Sequence, residues 1–187
     1  MNIDKPCYHL VPTAFGTMGI VWWNAASGPR VRQTFLSRGR IPAGEAILRT
    51  YPGARRLSCP AIFGLGRRLR RFLEGRAVVF DLDMVALEAC RPFQRRVLLA
   101  EYAIPRGSVS TYGRIAEHLG VAGGGRAVGR ALAENPFPIL IPCHRAVRAD
   151  GAIGGYQGGS AMKRALLEME GVEFTAAGKA ALMKVFY

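Results

Sequence analysis

Closely spaced cysteines and histidines, the usual mark of a metal site or a disulfide framework, are missing from this sequence. Its 4 cysteines are scattered, at Cys7, Cys59, Cys90 and Cys143, and only 3 histidines accompany them. No CxxC pair occurs, so a zinc site of standard spacing is not expected. We therefore expect a cytoplasmic protein with reduced thiols and without a metal or another cofactor.

Long hydrophobic runs are also missing. The most apolar early segment, Leu10 to Trp23, is shorter than the roughly 20 residues that a helix needs to cross a bilayer. The first residues do not combine a charged segment with an apolar stretch, so a secretory signal is not expected. The sequence therefore predicts no association with a membrane.

Acidic residues are few, with 13 against 26 basic ones and a net charge of +13. The excess is spread along the chain, because residues 1–90 carry 13 basic against 6 acidic and residues 91–187 carry 13 against 7. Such a balance favours a polyanionic partner. Nucleic acid comes ahead of an anionic membrane, since no long basic amphipathic helix is evident.

The first half has the pattern of a small sheet followed by a helix. From Tyr8 to Leu36, β-branched and aromatic residues alternate with turn residues, which predicts an antiparallel sheet. Apolar residues then recur at helical spacing from Leu65 to Leu73, before a stop at Gly75. A short strand is predicted at Ala77–Phe80.

The composition changes near Cys90–Pro92, and we place there the boundary between two domains, 1–90 and 91–187. The second domain is predicted to be mainly helical. Two of its short helices, separated by a Gly-rich turn, have the arrangement of a helix-turn-helix. The predicted helices run from 93 to 104, from a cap at Ser110 and Thr111 to Leu119, from Arg126 to Glu134, and from Ser160 to Glu170.

Arg126 has an unusual position for a basic residue. It lies in the first turn of its predicted helix, where a positive charge opposes the helix dipole. Local conflicts of this kind are more common at functional positions. A surface arginine without a function is the alternative.

The segment Ile141–Arg145 ends a short apolar run with a thiol, an imidazole and a guanidinium in succession. Free cysteine is often only a buried structural residue, but nearby His and Arg lower the pKa of a thiol and favour the reactive thiolate. In an extended segment consecutive side chains point to opposite faces. We therefore expect His144 to reach Cys143 only through a turn or a bridging water.

Many short motifs of the second half resemble, in order and spacing, the O6-alkylguanine-DNA alkyltransferases, also called methylated-DNA–protein-cysteine methyltransferases. The resemblance covers nearly all of residues 92 to 171. It is carried by Phe93-Gln94, Ile104-Pro105-Arg106-Gly107, Ser110-Thr111-Tyr112-Gly113, Arg126-Ala127-Val128-Gly129, Asn135-Pro136, Pro142-Cys143-His144-Arg145, Gly155-Tyr156-Gln157-Gly158-Gly159, and Lys163 onward to Glu170-Gly171.

The resemblance implies repair of O6-alkylguanine in double-stranded DNA, by a monomer. Cys143 would accept the alkyl group irreversibly, once per molecule. His144 would act through a water to deprotonate Cys143, and Glu170 would hold His144. Asn135 would fix the connection between the recognition helix and the strand leading to Cys143.

The resemblance also implies how a flipped guanine is bound. Arg126 would replace the extruded base in the stack, and Tyr112 would push the adjoining phosphate and lie against the base. The remaining contacts would come from the carbonyls of Cys143 and Ala146, the ring of Tyr156, the backbone amide of Gln157, and the glycines of that loop, among them Gly158.

Three other readings remain open on the residues alone. A binding-only relative would recognise alkylated DNA without removing the lesion, but such proteins lack the nucleophile. A helix-turn-helix regulator leaves Cys143, His144 and Glu170 unexplained. A thiol hydrolase needs an acyl pocket and a direct base, and the sequence indicates neither.

Overall fold

A computed structural model describes residues 5–37, 39, 41–183 and 185–187 of the chain. Its contacts form two units, residues 1–89 with 136–140, and residues 90–135 with 141–187. The first break falls next to the boundary predicted at Cys90–Pro92. The later segment 136–140 belongs to the first unit by its contacts, although it lies within the second half of the sequence.

The first unit contains the predicted antiparallel sheet. Strands β1 to β3 are consecutive antiparallel neighbours, and a short β4 lies parallel to β1, in the order β3-β2-β1-β4. Gly16 and Gly28 have positive φ angles of 88° and 109° at the two turns, where other residues would be strained. The strands are β1 Cys7–Thr13, β2 Gly16–Ala25, β3 Gly28–Leu36 and β4 Arg55–Arg56.

Two helices accompany this sheet, α1 at Ala43–Thr50 and α2 at Pro60–Leu73. Helix α2 confirms the predicted helix and begins earlier, with Pro60 in its first turn, where proline is favoured. It lies close to β1, because a Cβ atom on Gly66 would be only 2.9 Å from Cγ2 of Val11. Helix α1 was not predicted from the sequence.

The strand predicted at Ala77–Phe80 is wrong, because the segment has no strand structure. Val79 is 77% exposed, and its carbonyl accepts a hydrogen bond from the guanidinium of Arg68. The ring of Phe80 packs on Phe72, with the centroids 5.7 Å apart. Among its apolar side chains, the segment thus packs on α2 through the ring of Phe80, and it does not pair with a strand.

The second unit contains the four predicted helices and a two-stranded parallel sheet that was not predicted. In that sheet β5 pairs with β6. Since β5 directly precedes the helix-turn-helix and β6 follows the turn that contains Cys143, this pairing holds the two segments side by side. The elements are α3 Pro92–Ala103, β5 Ser110–Thr111, α4 Tyr112–His118, α5 Gly125–Ala133, β6 Ala146–Val147 and α6 Ser160–Met169.

Thr111 caps helix α4, because its Oγ1 accepts a hydrogen bond from the backbone N–H of Arg114 at 3.2 Å. Such a bond gives an acceptor to one of the backbone N–H groups that have no partner within the first turn of a helix. Ser110 has a different role from the predicted one: its hydroxyl donates to the carbonyl of Phe186 at 2.7 Å. Only Thr111 of the two predicted capping residues acts as the cap.

The strand expected before Cys143 is also wrong, since residues 136–142 follow an irregular path. Ile139 has a φ of 76°, which interrupts any strand. Within the first unit, the backbone N–H and the hydroxyl of Thr34 donate to the carbonyls of Pro136 and Pro138 at 2.8 and 2.9 Å. Two carbonyls of this segment are thus bound by one residue of β3, and no continuous ladder forms between the segment and that strand.

Phe137 offers a test of this packing, because its side chain is fully buried. We expect Phe137→Ala to lower the free energy of unfolding by about 3–5 kcal/mol, through lost burial and the cavity left behind. Phe63→Ala is the matched control, because Phe63 is 53% exposed and its loss should cost less than about 1 kcal/mol. Urea denaturation of the three proteins makes the comparison, and equal losses would contradict the buried position of Phe137.

Candidate active site

Cys143 lies in a short 3₁₀ turn, Cys143–Arg145, which leads directly into β6. The backbone N–H groups of Cys143 and Arg145 donate to the carbonyls of Ile141 and Pro142, each at 2.8 Å. A 3₁₀ turn has three residues per turn, so successive side chains diverge by about 120°. The backbone at Cys143 and His144 therefore forms a turn and not an extended segment.

Glu170 binds two of the three side chains of this turn. Its Oε1 lies 3.1 Å from Nε2 of His144. Arg145 donates to both carboxylate oxygens, from Nε at 2.8 Å and from Nη2 at 2.7 Å. Burial raises the pKa of Glu170, but the hydrogen bonds from Arg145 and His144 outweigh burial and lower the pKa to about 2. Glu170 is therefore a carboxylate at all ordinary pH values.

His144 is fully buried. Burial lowers its pKa, against the opposing effect of the Glu170 carboxylate, so the imidazole is neutral near pH 7. A neutral imidazole has one N–H donor and one accepting nitrogen. Since Nε2 faces Glu170, the proton belongs on Nε2, and Nδ1 is the nitrogen able to accept another.

Asn135 and Gln157 form a chain of hydrogen bonds beside Cys143. The Asn135 amide donates to the carbonyl of Ile141 at 3.3 Å, and its hydrogen bond to the thiol favours the ionised form of Cys143. The Gln157 amide donates to the carbonyls of Asn135 and Ala133, at 2.6 and 3.2 Å. The resemblance implied a contact from the backbone amide of Gln157, and the hydrogen bonds of its side chain to the end of α5 are an addition.

Cys143 itself is 6% exposed. Burial raises the pKa of its thiol to about 12, while the hydrogen bond from Asn135 and the charge of Lys163 act in the opposite direction and the charge of Glu101 adds to the rise. The resting residue is therefore a protonated thiol. Any reaction of its sulfur needs a group that removes the proton.

Lys163 is a site residue that the sequence did not single out. It is fully buried in the first turn of α6, and its Nζ donates to the carbonyls of Ala146 and Gly155 at 2.6 and 3.4 Å. Burial lowers its pKa to about 8. Its place inside a matched motif was the only available signal, because spacing alone predicts an exposed lysine on an amphipathic helix.

Tyr112 and Arg126 lie on the two helices of the helix-turn-helix. Tyr112 opens α4, and a Cβ atom on Gly154 would be 2.9 Å from its hydroxyl. The loop can approach Tyr112 this closely because Gly154, with a φ of 72°, has no side chain. Arg126 is the second residue of α5 and is exposed, which leaves its guanidinium available to a partner.

The loop after β6 contains the other predicted binding residues. The hydroxyl of Tyr156 is buried and has no hydrogen-bond partner among the residues that the structure describes, although such groups are normally paired. Its ring meets that of His144 edge-on, with centroids 6.3 Å apart. Gly158 is partly buried in the turn before α6. The carbonyl of Ala146 already accepts from Lys163, so one lone pair remains for a ligand.

Comparisons with known proteins show which family the chain belongs to. A family model described as the DNA binding domain of 6-O-methylguanine DNA methyltransferase matches residues 92–172. The methylated-DNA–protein-cysteine methyltransferase of Shigella flexneri is 40% identical over 119 residues, which are 64% of this chain and 69% of that relative. The chain belongs to the methylated-DNA–protein-cysteine methyltransferase family.

Two further members of the family illustrate the extent of the similarity. The Methanothermobacter thermautotrophicus methyltransferase is 51% identical over 104 residues, which are 56% of this chain but only 58% of that relative. A crystal structure of Mycobacterium tuberculosis OGT in complex with DNA has a TM-score of 0.68 at 30% identity, and it covers 88% of this chain and 92% of that one. The two sequence matches thus cover 56% and 64% of this chain, whereas the structural match covers 88% of it.

Within the described part of this methyltransferase-family chain, no helix is long and apolar enough to cross a membrane. No group of three His, Cys, Asp or Glu side chains that could hold a metal ion occurs among the same residues.

The ion pair of Glu170 predicts a pH-dependent stability. The folded-state pKa of Glu170, about 2, lies below the ordinary value of 4.5. The carboxylate therefore adds its full contribution to the free energy of unfolding above about pH 4.5, and this contribution is lost as the pH falls through about 2. Glu170→Gln leaves Arg145 as an uncompensated buried charge, and we expect a loss of about 3–5 kcal/mol near neutral pH.

The measurement is urea denaturation of the parent protein and Glu170→Gln at several pH values. The difference between their free energies of unfolding should narrow as the pH falls towards 2. Glu168→Gln serves as the control, because its pair with Arg164 is exposed and its loss should change stability by less than about 1 kcal/mol. A difference that does not depend on pH would contradict the ion pair as its source.

Proposed function

We propose that this chain repairs O6-alkylguanine in double-stranded DNA by moving the alkyl group to the sulfur of Cys143. The observation that supports this proposal best is the alignment of Cys143, a neutral His144 and the Glu170 carboxylate around one buried turn. Family membership adds the substrate class, since the Mycobacterium tuberculosis OGT of similar fold was solved in complex with DNA.

The reaction begins with removal of the proton from the Cys143 thiol. His144 accepts it at Nδ1 through a water, while Nε2 stays hydrogen-bonded to Glu170, whose negative charge stabilises the imidazolium that forms. The thiolate then attacks the alkyl carbon in line, so an S–C bond forms and the C–O6 bond breaks. Guanine leaves with the electron pair on O6, and the product at Cys143 is a thioether.

A thioether does not hydrolyse, so each molecule transfers one alkyl group. Asn135 and Lys163 assist the ionised sulfur, since the hydrogen bond of Asn135 and the charge of Lys163 both lower the pKa of Cys143 against the effect of burial. No cofactor is needed in this sequence of steps. The protein is a reagent that is consumed in a single turnover.

Base flipping gives the buried sulfur access to a guanine that lies within a duplex. Extruding a base costs a few kcal/mol of stacking, and the cost is least for a damaged pair. Arg126 is placed to fill the vacated position, because it is exposed at the start of α5. Tyr112 stands at the start of α4 to contact the adjoining phosphate and the base, and the net charge of +13 supplies affinity for phosphates.

The flipped guanine is bound by the loop after β6. Tyr156 lines the pocket, and its unpaired buried hydroxyl is a group that a ligand can satisfy. The backbone amide of Gln157 donates towards O6, the carbonyls of Cys143 and Ala146 accept from the exocyclic amine, and Gly158 lets the backbone approach the ring.

The second unit carries this chemistry, and the first unit, corresponding to the predicted domain 1–90, acts as a separate domain of unassigned role. A cytoplasmic location and a monomeric state complete the proposal. No disulfide joins the cysteines of the described residues, which is the usual state of cysteine in a reducing compartment.

The central test is chemical modification of one residue. After incubation with duplex DNA that contains O6-methylguanine, intact-mass measurement should show the gain of one methyl group in place of one hydrogen, and peptide mapping should place it on Cys143. Cys143→Ser should gain nothing, whereas Cys90→Ser, which removes a partly buried cysteine, should react as the unmodified protein does. DNA binding without any mass gain would instead support a binding-only protein.

Arg126 gives a second test, directed at base flipping. We expect Arg126→Ala to slow single-turnover repair of a lesion paired with cytosine by about tenfold or more, and to slow repair of an unpaired lesion much less, because flipping then costs less. Arg130→Ala is the control on the same helix, since Arg130 is exposed and paired with Glu134. Equal slowing on both substrates would contradict a role for Arg126 in flipping.

A further inference from the structure

Residues 185–187 pack against the helix-turn-helix, although the proposed mechanism gives them no role. Val185 forms a parallel bridge with Val109, just before β5. The backbone N–H of Phe186 donates to the carbonyl of Val109 at 2.8 Å, and the carbonyl of Phe186 accepts from the hydroxyl of Ser110 at 2.7 Å. The segment therefore lies alongside β5, the strand that leads directly into α4.

Tyr187 contacts both ends of helix α4. Its ring stacks on the ring of His118, the last residue of α4, with the centroids 3.7 Å apart and the planes inclined by 26°. Its carbonyl accepts a hydrogen bond from the guanidinium of Arg114, in the first turn. Its hydroxyl donates to the carbonyl of Ala100 on α3 at 2.9 Å. One residue thus joins both ends of α4 to the neighbouring helix.

These contacts reach a face of α4 that the core does not cover. The buried residues of the helix are Ile115 and Ala116, whereas Arg114 and His118 are exposed. Residues four apart lie on the same face of a helix, so Tyr187 holds Arg114 and His118 along one line. The core fixes one side of α4, and Tyr187 fixes another.

Helix α4 needs such support for the task that the proposed function gives it. It contains 7 residues, and isolated helices shorter than about 12–15 residues are marginal in water. Its first residue is Tyr112, which is proposed to contact the phosphate and the base of the flipped nucleotide. Extruding a base works against stacking, so the helix has to keep its position while Tyr112 acts.

We infer that Tyr187 is a positioning residue for base flipping: its contacts fix α4 against α3, so that Tyr112 keeps its place while the base leaves the stack. Tyr187 acts through the helix and does not touch the reacting atoms at Cys143. Displacing a positioning group by about 1 Å can slow a reaction by about 100-fold. The inference deepens the proposed function and rests on it.

The test compares one lesion in two duplexes, with the full chain. O6-methylguanine lies opposite cytosine in one duplex and is unpaired in the other, where flipping costs less. Single-turnover methylation of Cys143 is followed by mass spectrometry. The variants are Tyr187→Ala and His118→Ala, singly and together. Phe174→Ala is the matched control, because Phe174 is an aromatic residue of the same unit whose ring lies 4.5 Å from the guanidinium of Arg164 on α6.

We expect Tyr187→Ala to slow repair of the paired lesion by about tenfold and of the unpaired lesion by less than about twofold, because the paired lesion depends more on flipping. His118→Ala should show the same preference with a smaller effect, since the hydrogen bonds of Tyr187 remain. The double variant should be only as slow as Tyr187→Ala, because residues in contact do not act independently. Phe174→Ala should repair both duplexes at the rate of the parent protein.

Equal slowing on both duplexes would assign Tyr187 to the general stability of the site and overturn the inference, as would unchanged rates in Tyr187→Ala. Additive effects in the double variant would show that His118 acts apart from Tyr187, and would overturn the role of the stacked pair. Absence of methyl transfer by the parent protein on either duplex would overturn the proposed function as well, so the two failures are distinct.

Thermal unfolding shows that each variant is folded at the temperature of the assay. Tyr187→Phe keeps the stacked ring and loses the hydrogen bond to Ala100, so it makes the same comparison if Tyr187→Ala does not fold. It should slow the paired lesion selectively, by less than Tyr187→Ala does. Parent rates in Tyr187→Phe together with parent rates in His118→Ala would overturn the inference without any result from Tyr187→Ala.

Discussion

The buried ion pair between Arg145 and Glu170 is the interaction on which the arrangement of the site depends. It joins the 3₁₀ turn that contains Cys143 to the end of α6 by two hydrogen bonds of 2.8 and 2.7 Å. Arg145 also donates to the carbonyl of Ile104, just beyond α3. Three parts of the second unit thus meet at one guanidinium, whose planar fork suits this bidentate geometry. Because Glu170 stays ionised, the same carboxylate can orient His144.

Irregular backbone around Cys143 is held by side chains in place of regular secondary structure. Asn135 binds the carbonyl of Ile141 before the turn, and Lys163 binds the carbonyl of Ala146 after it. Gln157 in turn holds the carbonyl of Asn135. Buried backbone groups must be paired, and here single polar side chains supply the partners. The thiol is consequently positioned by a small polar network, which also determines its ionisation.

Burial governs the chemistry of every titratable group in this network. It raises the pKa of Cys143 and Glu101 and lowers the pKa of His144 and Lys163, so each group tends towards its neutral form. Glu170 is the exception, because three hydrogen-bonding groups outweigh its desolvation. The site at rest therefore contains the Arg145–Glu170 ion pair and the Lys163 ammonium beside a neutral thiol and a neutral imidazole, and further charge develops when the thiol loses its proton.

The sequence by itself determined the antiparallel sheet, the four helices of the second unit, the Thr111 cap and the resemblance that marks Cys143, because these depend on local periodicity, capping and motif order. Tertiary structure decided the rest. Residues 77–80 and 136–142 contain strand-forming residues but form no continuous strand. Val79 is exposed, and the positive φ of Ile139 interrupts the second segment. Lys163 and Glu101 have the spacing of ordinary helix residues, and only the packing of α3 and α6 around the turn buries their charges. Burial is a property of the whole fold, and it cannot be read from neighbours in the chain.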